Sequence, residues 1–140
     1  MRAWIACVLL AACATTGSEL TPGQRLAGCW INRDAGAARM RWSQSPNSEG
    51  AYLGSKTSFG IAGANSTERF TLENTAGAWR LCRVDRADAP HCWGVAQGEG
   101  GSLSGGRAFI DGGSDNLRIA VIGDGPERVI FQGHREACRN

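Results

Sequence analysis

A single lysine, Lys56, stands among the 15 basic residues of this 140-residue chain, and 13 acidic residues leave almost no net charge. So even a balance lacks the basic face that a nucleic-acid surface requires, which excludes nucleic acid as a partner. The preference for arginine over lysine is compositional and carries no functional weight. Past the first dozen residues, no run is apolar enough to span a bilayer. No stretch repeats its apolar residues with a helical period, which excludes a helical bundle. There is no internal repeat and no sign of a second domain.

What is present begins with an export signal. Arg2 precedes the apolar run Ala3–Ala12, and small residues follow. Leu10-Ala11-Ala12-Cys13 resembles the lipobox of bacterial lipoproteins, in which the cysteine after the cut receives a diacylglycerol. Cleavage near Ala14–Thr15, with Cys13 a bystander, is the alternative. The small polar residues of ATTGSELTPGQ have the composition of a flexible tether and favour the lipoprotein. The expected division is a signal over 1–12, a lipidated tether over 13–24 and one folded domain over 25–140. The mature chain then belongs to the bacterial cell envelope, touching a membrane only through its lipid, or else is soluble in the periplasm.

The domain reads as all-β. Short alternating runs lie near Cys29–Arg33, Ala38–Ser43, Ala51–Phe59, Thr67–Asn74, Ala78–Val84, His91–Ala96, Arg107–Asp111, Asn116–Ile122 and Arg128–Arg135. Turn material rich in Gly, Asn, Asp and Pro separates them. Eight or nine strands with short links predict a single antiparallel up-and-down β-barrel, because closure removes the exposed edges of a long sheet.

Four cysteines fall in this domain, and an even count in an exported chain implies two disulfides. Setting Cys82 opposite Cys92 also pairs Leu81 with Trp93 and Trp79 with Val95, so those four apolar residues share one face. Arg83 then faces His91. Cys29 is left for Cys138, tying the first strand to the chain end. That register sets Asn32 opposite Arg135 and Trp30 opposite Ala137, with Trp30 and Arg135 as diagonal neighbours on one face. First and last strands meet in this way only if the sheet curls into a barrel.

Gly28-Cys29-Trp30 on the first strand, with Arg135 near the end of the last, resembles the lipocalin and wider calycin signature. That resemblance implies a barrel in which Trp30 plugs one end and Arg135 lies across it. The loop glycines and aspartates typical of full lipocalins are not evident, and chain length and lipobox look more like small lipocalin-like bacterial lipoproteins. The opening Leu26-Ala27-Gly28-Cys29-Trp30 also resembles the periplasmic inhibitors of alkaline metalloproteases, which insert a free mature N-terminus into their target. A lipid on Cys13 competes with that reading.

Trp42, Trp79 and Trp93, with Tyr52, Phe59 and Phe70, either line an apolar cavity or fill the barrel as packed core; a small barrel is just wide enough for both. Arg83 and His91 stand at one mouth, placed to orient a carboxylate or phosphate, or else forming a solvated rim. Zinc on Cys82, His91 and Cys92 is rejected, since neighbours on a strand point to opposite faces. Gly98–Gly106 lacks the Lys-Ser/Thr ending and following helix of a phosphate loop, and reads as a hairpin connection. Asp111, Asp115 and Asp124 are explained by turn chemistry without calcium. No nucleophile–base constellation can be assembled, so no enzyme, metal or cofactor is expected. The expected function is non-enzymatic binding of a small apolar or amphipathic ligand at the cell envelope. A protease or other hydrolase inhibitor, or an envelope interaction protein acting through its surface or N-terminal segment, is the alternative.

Overall fold

Alternation decides the strands. In Ala38–Gln44 the buried side chains are Ala38, Met40 and Trp42, while Arg39, Arg41 and Ser43 face solvent, the period-two pattern of a sheet with one wet face. The computed structural model describes residues 19–34, 36–84, 91–96 and 106–140. Among them are nine strands: β1 (Gly28–Asn32), β2 (Ala38–Gln44), β3 (Tyr52–Phe59), β4 (Asn65–Thr75), β5 (Ala78–Arg83), β6 (His91–Val95), β7 (Arg107–Gly112), β8 (Asn116–Ile122) and β9 (Arg128–Glu136). Each pairs with the next and β9 returns to β1, closing the barrel. The nine expected strands are all there, with bounds shifted by two residues at most.

One junction departs from the up-and-down plan. β6 and β7 run parallel, with Gly94 opposite Arg107 and Val95 opposite Ala108. Strand number forces this. Alternating directions close a ring only when the count is even, so nine strands require a like-directed pair. β6 and β7 are therefore not the antiparallel arms of the hairpin connection expected over Gly98–Gly106. Residues 97–105 themselves lie outside the described residues, as do the expected signal and Cys13.

The hairpin of β5 and β6 has the register read from the sequence: Arg80 with Gly94, Leu81 with Trp93, Cys82 with Cys92 and Arg83 with His91. Its disulfide joins directly opposed residues whose Cα atoms are 4.0 Å apart. The other seam is shifted by two. Cys29 faces Glu136, Trp30 faces Arg135 and Ile31 faces His134, so Trp30 does not meet Ala137 and Asn32 does not meet Arg135. Cys138 lies beyond the end of β9 and reaches back to Cys29 across a Cα separation of 5.2 Å. An even shift keeps every side chain on its expected face.

The same shift brings Arg135 directly across from Trp30. Its guanidinium carbon lies 4.1 Å from the indole centroid, Nη1 donates to the Ala27 carbonyl at 3.2 Å, and Nε donates to the Ser114 carbonyl. Trp30 is fully buried and donates from Nε1 to the Leu26 carbonyl at 2.8 Å. Gly28 is required here: its φ is +123°, and a Cβ would stand 2.6 Å from Arg135 Nη1.

A five-residue helix, α1 (Pro22–Leu26), replaces the last residues of the expected tether. Thr21 and Gln24 form a capping box, with Thr21 Oγ1 accepting from Gln24 N and Gln24 Oε1 accepting from Thr21 N. Pro22 sits at the start, where a missing N–H costs nothing. Gly23 lies under the Tyr52 ring on β3 and Arg25 lies against Gly112 on β7, so α1 crosses one end of the barrel. Leu26 is fully buried beneath it. This is the sealed end; the opposite end, where β5 finishes and β6 and β9 begin, is the mouth.

The lumen is filled by one cluster that includes Trp30, Met40, Trp42, Phe70, Leu72, Leu81, Trp93, Ile119 and Phe131. The outer wall carries Arg39, Arg41, Arg69 and Arg80. An apolar interior and a polar exterior reverse the arrangement of a membrane-spanning barrel, whose outward face is an apolar band. Among the described residues, no helix is long and apolar enough to cross a membrane.

Candidate binding site at the barrel mouth

Side chains that face the lumen change character along the barrel. Gly54 sits between Trp42 on β2 and Phe70 on β4, and a Cβ there would lie 2.6 Å from the Trp42 ring. The missing side chain lets the indole lie against the β3 backbone, with the Trp42 and Phe70 centroids 6.3 Å apart. Two residues further along β3, the same face presents Lys56, opposite Met40 and Glu68. Arg83 follows, opposite Phe70 and His91. Charge enters the lumen where the aromatic stack ends.

These groups are bonded to one another. Lys56 Nζ is 2.6 Å from Glu68 Oε2, and Arg83 Nη1 is 3.5 Å from the other carboxylate oxygen. Lys56 also donates to the Ile130 carbonyl at 3.0 Å. β3 and β9 are not neighbours in the sheet, so the lysine spans the lumen. A β-bulge makes the acceptor available. Ile119 pairs with Phe131 and Ala120 with Val129, which leaves Ile130 as the extra residue; a bulged residue is unpaired in the ladder. An ammonium has three donors, and Glu68 and Ile130 take two. The Lys56 side chain retains only 16% exposure.

A recess of about 70 Å³ lies among Lys56, Glu68, Arg83, Arg128, Val129 and Ile130, and Phe70 supplies its aromatic wall. Among the described residues, Lys56, Arg83 and Arg128 line it together with the Glu68 carboxylate. Arg128 makes no ion pair among the described residues.

Of the expected ligand-binding residues, Arg83 and Phe70 meet at this recess. Trp42, Trp79 and Trp93 belong, like Phe70, to the buried core cluster. Trp79 also borders a concavity of about 580 Å³ beside α1. The Trp42 indole N–H is buried without an acceptor among the described residues. His91 is exposed and rests on Trp93, ring centroids 4.5 Å apart, instead of lining the recess. A wider concavity, about 1070 Å³, is a trough along β1, β8 and β9 bordered by Arg118, Gln132 and His134. It does not open into the charged part of the lumen.

Sequence reasoning missed Lys56, Glu68 and Arg128. A signal was present for two of them. Once Phe70 is assigned to the interior, period two places Glu68 beside it, and Lys56 is the chain's one lysine.

Compared with known proteins, the chain matches no family model, and no curated protein or solved structure matches it. The nine-strand barrel and its two disulfides therefore stand on geometry.

Proposed function

We propose that the protein is a non-enzymatic binding barrel, exported and held at the bacterial cell envelope by a lipid on Cys13, that takes a small apolar or amphipathic molecule at its mouth. The recess carries this reading: Lys56, with one donor unclaimed among the described residues, and Arg83 stand over Phe70 inside an otherwise apolar lumen. Small-molecule sites pair apolar walls with a few convergent polar groups. In this reading the molecule seats at the mouth and not deeper, because Trp42, Trp79 and Trp93 already pack in the core. Two disulfides support an oxidising compartment. Trp30 beneath Arg135 supports kinship with lipocalin-like barrels.

The test is extraction of the native protein in mild detergent, with mass spectrometry of its mature N-terminus and of co-purifying small molecules. The expected result is an acylated Cys13 and a retained small molecule. An unmodified N-terminus at residues 14–16 overturns the lipid anchor and favours the inhibitor reading. A native protein that retains nothing, and that no small molecule stabilises against heat, overturns the binding function.

A further inference from the structure

Seven large apolar side chains are exposed among the described residues, and five of them, Phe59, Ile61, Val84, Ile122 and Val129, stand at the mouth. Phe59, Val84 and Ile122 are at or just past the mouth-side ends of β3, β5 and β8, and Val129 is the second residue of β9. Ile61, in the short turn of helix η1 (Ile61–Gly63) between β3 and β4, is 98% exposed. Single exposed apolar residues are ordinary. Their segregation to one pole, around a recess lined by Lys56 and Arg128, is not.

We infer that the mouth receives the head group of an anionic amphiphile, a carboxylate or phosphate borne on an acyl chain. This rests on the binding function proposed above and names the class of its ligand. The third Lys56 donor and the Arg128 guanidinium meet the anion, and such charge-assisted hydrogen bonds are stronger than neutral ones. The recess, about 70 Å³, is well below the roughly 300–1,000 Å³ of pockets that enclose a drug-sized ligand, so it admits a head group and leaves the chain outside. Val129, which borders both recess and rim, is where that chain first finds apolar surface. A neutral head group leaves the Lys56 donor unanswered, and a cationic one sets a further positive charge beside Lys56 and Arg128. Both are discriminated against without any dedicated contact.

The experiment titrates the mature full-length protein with dodecanoate, dodecyl maltoside and dodecyltrimethylammonium, each below its micelle concentration. A second arm uses phosphatidylcholine vesicles with and without phosphatidylglycerol. Dodecanoate is expected to bind about tenfold or more tightly than the other two, the effect of one charge-assisted hydrogen bond, and to weaken with salt. Lys56→Met and Arg128→Glu should each weaken dodecanoate binding by about tenfold and so narrow its margin over maltoside. Arg128 is exposed, so its variant keeps the proposal testable if Lys56→Met fails to fold. Binding confined to vesicles containing phosphatidylglycerol assigns the head group to a lipid surface, and binding confined to dodecanoate assigns it to a free amphiphile; both support the inference. Equal affinity for all three amphiphiles overturns the anionic class and leaves the binding function standing. Absence of binding in every arm overturns both.

Discussion

Opening each disulfide separately tests how the barrel is closed. Cys29 and Cys138 are 109 residues apart in sequence, Cys82 and Cys92 only 10. A cross-link stabilises chiefly by restricting the unfolded chain, and that restriction grows with the logarithm of loop length. The long loop corresponds to about 4.8 kcal/mol at 25 °C and the short one to about 2.8 kcal/mol. The difference, roughly 2 kcal/mol, is the quantity to measure, because contributions common to both pairs cancel in it. Alanine is the replacement of choice at all four positions, since it buries no hydroxyl where Cys82 and Cys29 are themselves buried. Equilibrium unfolding in urea, followed by tryptophan fluorescence and far-ultraviolet circular dichroism, gives the two free energies. With a slope of about 1–2 kcal/mol per molar urea, the Cys29→Ala/Cys138→Ala midpoint should fall roughly 1–2 M below that of Cys82→Ala/Cys92→Ala. Equal midpoints, or the reverse order, would refute the reasoning. They would mean that the short cross-link acts through native contacts of the β5–β6 hairpin and not through the unfolded chain.

Three other substitutions probe the scaffold. Arg135→Lys removes the planar guanidinium over Trp30 and its two backbone hydrogen bonds; it should cost about 1–3 kcal/mol, read as a lower thermal midpoint. An unchanged midpoint would show that any cation suffices. Ala76 and Gly77 hold the β4–β5 turn with φ of 52° and 84°, so Ala76→Asn, giving the Asn-Gly pair favoured in such turns, should stabilise by about 0.5–1 kcal/mol in urea unfolding. A loss of stability would refute the turn assignment. Gly54→Ala pushes a methyl into the Trp42 ring and should cost about 1–3 kcal/mol with a shifted fluorescence maximum; wild-type behaviour would mean that the indole has room to move.

The strands and one disulfide register were legible because both rest on local parity. On β5 and β6, any slip by one residue scatters Trp79, Leu81, Trp93 and Val95 over two faces, so a single pairing survives. On β1 and β9, parity allows a shift of two without penalty, and Cys138 reaches Cys29 from beyond the strand. Sequence alone could not choose between those registers. The parallel junction of β6 and β7 was hidden for a different reason: it follows from the number of strands around the ring and has no local signature. Helix α1 was missed because five residues carry no amphipathic period, although Thr21 and Gln24 hold the spacing of a capping box. The recess was legible only in part. Arg83 followed from the hairpin, but Lys56 reaches an acceptor 74 residues away, on a strand it does not pair with. Such a contact depends on closure and on a bulge, and neither is written in any short stretch.

The pole at which the first strand begins and the last one ends is the pole sealed by α1, where the Cys29–Cys138 bond also lies. Both ends of the barrel's strand series therefore open onto its blind side. Anything joined to it through either strand, whether a fused partner, a surface linker or a lipid, attaches at that pole and leaves the mouth pointing away. For a lipid on Cys13, the six residues before Glu19 reach at most about 20 Å from that pole. A membrane holding the protein in this way would present the mouth outward, toward whatever diffuses past.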